Sequence, residues 1–221
     1  TQNYTLVIIL KKVYNDILVQ LKNTIHVGVK STRQQLNWTT WSEIEGLVYT
    51  LQDIYTKSPT ESNLQDYISL KLCIHQNTLR NDYSSLMFRN FNPESDNYID
   101  VSKKQIIWNK FKTSKHHGTI VYDISDVIID DLKLFIDYRT KENLYNHLFI
   151  LDGKNMTNHQ FGNTLLRITK LHLSKNIGTQ MLRTIKVSEF RQNDTPLHKE
   201  EEFALSMQHT SSTSRNFYRK S

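Results

Sequence analysis

Met207-Gln-His-Thr-Ser-Ser-Thr-Ser-Arg-Asn-Phe-Tyr218 decides how this chain is read. It holds a histidine, a run of small hydroxyl residues, an aromatic, a tyrosine and a basic tail. Thr213 to Lys220 can form a short helix, with Phe217 available to pack and Tyr218 beside it. A tyrosine hydroxyl has a pKa of about 10, so it is a poor nucleophile unless cations surround its target. The question the segment poses is whether the chain upstream supplies such cations.

The totals permit it. The chain has 221 residues, 38% of them hydrophobic, which suffices for one sizeable core with a small appendage. Its formal charge of +6 favours a polyanion partner, nucleic acid first and an anionic membrane surface second. One cysteine, Cys73, excludes an internal disulfide framework and a Cys-cluster zinc site. The apolar run Leu6 to Leu10 is too short for a bilayer span or a signal peptide core. The expectation is an intracellular protein in a reducing compartment, with no membrane partner.

The chain reads as mostly helical. Val7, Ile8, Leu10, Val13, Ile17, Leu18 and Leu21 recur at a helical period over residues 4–22. Lys30-Ser-Thr-Arg-Gln-Gln35 reads as a linker, which divides the chain into residues 1–35 and 36–221. A capping box, Thr40-Trp-Ser-Glu43, starts a helix through Ile44, Leu47, Val48, Leu51 and Ile54. Ser58-Pro59-Thr60-Glu61-Ser62 breaks it, and Leu64 to His75 is the next helix. Its buried side carries Leu64, Tyr67, Ile68, Leu70, Leu72 and Cys73, so Cys73 reads as core and not as a nucleophile. Thr78 to Leu86 is a turn into a short helix, with Arg80 at its start. Tyr98 to Val101, Gln105 to Lys110 and Thr119 to Tyr122 are β-rich, and the last two flank the hairpin connection Lys112 to Gly118. Ile129 to Tyr138 is an amphipathic helix, and Leu148 to Leu151 a short strand. Thr157 to Leu173 and Thr179 to Phe190 are helices, and Thr195-Pro196 opens the last long one. The fold class is α+β, mostly helical with a small antiparallel three-stranded sheet.

Four pieces stand in order: Arg80 at a helix start, Lys112 on a β-hairpin, Gln180-Met-Leu-Arg183 in a helix, and His209 upstream of Tyr218. With these residues the chain resembles the tyrosine recombinase, or phage integrase, family over residues 36–221. Thr78-Leu-Arg80 with Leu86 resembles the family's first box, whose arginine binds the scissile phosphate. Lys112-Thr113 looks like its hairpin lysine, and Leu182-Arg183-Thr184 like its second box, usually His-x-x-Arg. Gln208-His209, the hydroxyl run and Tyr218 are similar to its Gly-His-x-Ser…Tyr close. Two departures stand out. Gln180 occupies the histidine position, where it can donate a hydrogen bond but cannot exchange a proton near neutral pH. Only Arg219, Lys220 and Ser221 follow Tyr218, where family members often extend into a tail that docks on a neighbouring protomer. Residues 4–30 are then expected to be the last helix of a core-binding domain.

The resemblance implies a site-specific DNA recombinase or integrase of a virus or mobile element, acting on double-stranded DNA as a homo-tetramer. Arg80 and Arg183 clamp the non-bridging phosphate oxygens bidentately. His209 and Gln180 add hydrogen bonds, each such donor typically worth roughly 3–4 kcal/mol in the transition state. Tyr218 attacks to form a 3′-phosphotyrosyl link, and Lys112 protonates the leaving 5′ oxygen. Neither metal nor ATP nor another cofactor is implied. His116-His117 lacks further ligands at metal spacing and reads as a turn. Lys110, Lys115, Arg215, Arg219 and Lys220 are the expected phosphate contacts. A type IB topoisomerase, which shares the chemistry, is the alternative, and a catalytically inactive DNA-binding relative is a third reading.

Overall fold

In the computed structural model of the chain, residues 6–7, 9–17, 29–76, 81–112, 114–141 and 145–192 are described. Residues 9–17 (α1) are helical, as their apolar period predicts, yet every side chain in them is exposed, including Leu10 at 58% and Ile17 at 55%. The apolar period here marks a helix and not a face buried within the described residues.

The stretch read as a linker forms a helix, α2 (Thr32–Asn37). The reason is local: Ser31 caps the Gln34 amide while the Gln34 side chain returns to the Ser31 amide, a second capping box. It is also held by tertiary contacts. Asn176 N donates to Asn37 Oδ1 at 2.6 Å, and the Lys175 ammonium donates to the Trp38 carbonyl.

The predicted box at Thr40 and Glu43 starts α3 (Trp41–Lys57), which buries Ile44, Leu47, Val48 and Leu51. Thr60 then caps α4 (Glu61–His75), so the break is shorter than predicted and the helix begins three residues earlier. Every residue of α4 from Leu64 to Ile74 is buried, because α3, α6 and α7 pack around it. Two of its charged positions, Lys71 and Asp66, are tied to partners on α6 and α7. Lys71 Nζ meets Asp131 at 2.5 Å and the Tyr67 hydroxyl at 2.8 Å, and Arg167 meets Asp66 at 2.5 Å. Cys73 lies in this core, and burial pushes its thiol up to about 12.

A 3₁₀ turn (Asn81–Ser85) leads to an antiparallel sheet of β1 (Tyr98–Asp100), β2 (Gln105–Trp108) and β3 (Ile120–Asp123), in that order. Tyr98 pairs with Ile107, and Ile106 with Tyr122. The β2–β3 connection contains one helical turn, α5 (Ser114–His117), which ends at Gly118 with φ +66°. Glycine takes this left-handed conformation without steric cost.

α6 (Asp126–Lys141) buries Ile128, Ile129, Leu132 and Phe135. The predicted strand at Leu148 to Leu151 narrows to β4 (Ile150–Leu151), which pairs with β5 (Lys154–Asn155) across an Asp152-Gly153 turn. Both turn residues have positive φ, 49° and 71°, as a two-residue hairpin turn of this type requires. α7 (Asn158–Leu173) starts on a third capping box, Thr157 with Gln160, and ends at Ser174 in the left-handed region. α8 (Thr179–Gln192) is anchored by Leu182 and Ile185 in the core. Burying each such side chain stabilises the fold by about 1.5–3 kcal/mol. The expected helix from Thr195 lies outside the described residues.

Candidate nucleic-acid interface

Three segments named in the sequence meet around the 3₁₀ turn. The first is the turn itself, which follows Arg80 directly; Arg80 lies outside the described residues. The second is the start of α8. Thr179 Oγ1 donates to Asn81 Oδ1 at 2.8 Å, so the residue after Arg80 and the residue before Gln180 are hydrogen-bonded. Gly162 on α7 makes room for this contact, because a Cβ there would stand 2.8 Å from the Asn81 amide nitrogen. Gln180 is exposed, and Arg183 lies one turn further along α8 at 2% exposure. Arg183 acts electrostatically on Tyr83, three residues past Arg80. The Tyr83 phenol is buried, and that burial holds its pKa well above the ordinary value.

The third segment is the β2–β3 connection. Asn97, 3% exposed, joins it to the 3₁₀ turn. Its Nδ2 donates to Ser85 Oγ at 2.7 Å and to the Lys110 carbonyl at 2.6 Å. Its Oδ1 accepts from the amides of Asn109 and Lys110 at 2.8 and 2.7 Å. Phe111, 8% exposed, anchors the next residue in the core, and Lys112 follows with an exposed side chain. Lys115 is exposed, whereas Lys110 reaches Asp96 at 3.4 Å. Lys110 is 69% exposed, so that pair is weak and leaves its charge available to a phosphate.

Around the start of α8 the surface opens into a cleft of about 540 Å³. Arg33, Asn37, Asn81, His159, Asn163 and Gln180 are among its lining residues, and among the described residues no carboxylate lines it. Amide donors and acceptors with a local positive charge suit a polyanion that also presents hydrogen-bonding edges. Sequence reasoning missed Asn81, Asn97 and Thr179. Their signal is spatial, since each acts on a residue 12 to 98 positions away.

His209, Tyr218, Arg215, Arg219 and Lys220 lie outside the described residues, as does the side chain of His116 and of His117. Among the described residues, no three His, Cys, Asp or Glu side chains cluster so as to hold a metal ion. Nor is any described helix long and apolar enough to cross a membrane.

One further cation lies on α8 away from the cleft lining. Lys186, largely buried on α8, donates to the Ile74 carbonyl at 3.0 Å and lies 5.4 Å from the Trp41 ring centre. Burial pushes its pKa down to about 8. The unfolded chain keeps that proton up to about 10.5. Between these values the unfolded state therefore binds more protons, and stability rises with pH at up to about 1.4 kcal/mol per unit. In denaturant titrations the stability of wild type relative to Lys186→Met should rise with pH across this window, a difference that cancels the opposite contribution of the buried Cys73 thiol common to both, and methionine should be most advantageous below pH 8.

A scan against protein-family models and a search of curated proteins both find no match. Among solved structures, the chain is similar to the crystal structure of XerA recombinase, with a TM-score of 0.58 and 11% sequence identity. The match covers 80% of this chain and 59% of that one. The likeness is one of fold: a mostly helical domain with a small antiparallel three-stranded sheet, as in the catalytic domain of a tyrosine recombinase.

Proposed function

We propose that the chain is a DNA strand transferase of the tyrosine recombinase type. The contact that carries the reading is Thr179 to Asn81, which joins the segment after Arg80 to the turn bearing Gln180 and Arg183. The recombinase-like fold supports it, as does a cleft with no carboxylate among its described lining residues. Arg80 and Arg183 hold the scissile phosphate, with Gln180 and His209 as further donors. Tyr218 Oη bonds to phosphorus, the bond to the 5′ oxygen breaks, and Lys112 gives that oxygen a proton. The phenol proton passes to water. The ester conserves the energy of the broken bond, so religation runs by the reverse step. The catalytic unit is residues 36–221 together with the rest of α2, whose Arg33 lines the cleft, and it works on double-stranded DNA as a homo-tetramer. The Asn- and Lys-rich composition favours an integrase of a virus or mobile element.

The test is adduct formation. Nicked duplexes from a randomised pool, which lose the 5′ fragment on cleavage and cannot religate, should yield a covalent protein–DNA species. Proteolysis and mass spectrometry should place the nucleotide on the peptide containing Tyr218. Absence of any adduct from the pool defeats the enzymatic reading. Relaxation of arbitrary supercoiled plasmid by the monomer moves the assignment to a type IB topoisomerase.

A further inference from the structure

We infer that Asn97 is a positioning residue for the leaving-group proton, acting through the hairpin that carries Lys112. The inference rests on the proposed strand-transfer reaction and on the role of Lys112 in it. Asn97 spends its whole hydrogen-bonding capacity on this one junction. Two donors and two acceptor sites are used, toward Ser85, Asn109 and Lys110, at 2.6 to 2.8 Å. Its own carbonyl accepts from the Met87 amide at 2.9 Å, so the backbone that holds it is itself fixed. Ser85 Oγ passes the connection on by donating to the Asp82 carbonyl at 2.7 Å, two residues after Arg80. Asn97 thus joins the segment after Arg80 to the hairpin two residues before Lys112.

The rest of the hairpin base is closed around the same point. Thr119 Oγ1 donates to Asn109 Oδ1 at 2.8 Å, joining the two ends of the connection. Asn109 Nδ2 donates to the carbonyls of Pro93 and Asp96 at 2.9 and 2.7 Å. Lys112 itself is exposed on a connection of mostly polar residues. Its position relative to a phosphate held by Arg80 is set by this base and by Phe111. A general acid must come within hydrogen-bond reach of the oxygen it protonates, and a displacement of about 1 Å costs on the order of 10²-fold in rate.

The protonation step provides the test. In the reaction the electron pair of the broken P–O bond goes to the 5′ oxygen, which takes a proton from Lys112 Nζ. With sulfur as the bridging atom the leaving group is a thiolate, whose conjugate acid has a pKa of about 8.5, and it departs without that proton. The probe is a nicked duplex drawn from the randomised pool by wild-type adduct formation, made with either a 5′-bridging oxygen or a 5′-bridging sulfur. Single-turnover adduct formation is measured for wild type, Lys112→Ala, Asn97→Ala and Ser85→Ala. The serine variant removes one partner of Asn97 at a partly buried position and keeps the test open if Asn97→Ala fails to fold.

On oxygen, Asn97→Ala should slow cleavage by about 10²-fold, with Ser85→Ala slowed less. On sulfur both should return to the wild-type rate, as should Lys112→Ala. Equal slowing on both substrates assigns Asn97 to the phosphate clamp or to the fold and overturns the inference. So does an unslowed Asn97→Ala that is folded. If sulfur fails to rescue Lys112→Ala, the lysine is not the acid and the inference falls, while wild-type adduct formation leaves the strand-transfer reading standing. A wild type that forms no adduct on either substrate removes that reading, and the inference with it.

Discussion

Tyr218→Phe should abolish the covalent protein–DNA species while leaving duplex affinity unchanged. The expected loss of cleavage is at least on the order of 10⁴-fold, the scale on which enzymes respond to removal of a nucleophile. Phenylalanine keeps the aromatic ring and removes only the oxygen that the proposal makes the nucleophile. At pH 7.5 a phenol of pKa about 10 is about 0.3% ionised, so the wild-type rate depends on cations that favour the phenolate. In the proposed reaction Arg183 supplies such a cation, and as a guanidinium it keeps its charge at every working pH. The assay is denaturing electrophoresis of the suicide duplex reaction, beside a binding measurement under the same salt. A persistent adduct in the variant would place the nucleophile elsewhere. The buried alternatives are poor ones: burial raises the Tyr83 phenol well above its ordinary value and the Cys73 thiol to about 12. Loss of affinity together with cleavage would instead mean that Tyr218 helps to hold DNA.

The parts of this chain that were legible in the sequence are those specified within a few residues. Thr40 and Glu43 form their capping box as read, and the Asp152-Gly153 turn falls where the two residues require it. The strands shift by no more than two residues at either end, because alternation and turn residues bracket them. Ser31 and Gln34 show that the same local rule could have been applied once more, to a stretch whose polarity suggested a linker. What could not be read is what depends on a distant partner. The apolar pattern predicts one buried side for α4, yet Gln65, Asp66 and Lys71 are buried too, satisfied by residues 60 to 101 positions away. The site divides in the same way. The segments that carry Lys112, Gln180 and Arg183, the residues of the proposed site, could be picked out from sequence, but the amides that join those segments could not. Asn97 is one asparagine in a loop until the chain folds and brings Ser85 and Lys110 to it.

The largest stability effect should come from a residue far from that chemistry. Arg139 on α6 is fully buried, and its guanidinium is held on every side. Nε donates to the Leu148 carbonyl at 3.0 Å, Nη2 to Gln65 Oε1 at 2.6 Å, and Nη1 meets Glu61. The Phe135 ring centre lies 4.9 Å away. Gln65 in turn holds both polar groups of Ile150, through Nε2 to its carbonyl and Oε1 from its amide, each at 3.0 Å. One arginine therefore ties α6, α4 and the β4 strand into a single polar junction inside an apolar core. Arg139→Met fills much of the same volume but leaves the Leu148 carbonyl without this donor and Gln65 without its charged partner. Leaving the buried Leu148 carbonyl without this donor and Gln65 Oε1 with only the Ile150 amide costs about 1–3 kcal/mol each. That is a large share of the roughly 5–15 kcal/mol by which domains are stable. Tm should fall by about 10 °C, at about 2–4 °C per kcal/mol for a chain of this size. Glu61→Gln separates charge from hydrogen bonding. The Glu61 side chain is 43% exposed, so solvent screens its pair with Arg139, and that variant should lose less than about 1 kcal/mol. If thermal melts show the two variants equally destabilised, the ion pair and not the buried hydrogen-bond junction is what holds α6 to α4.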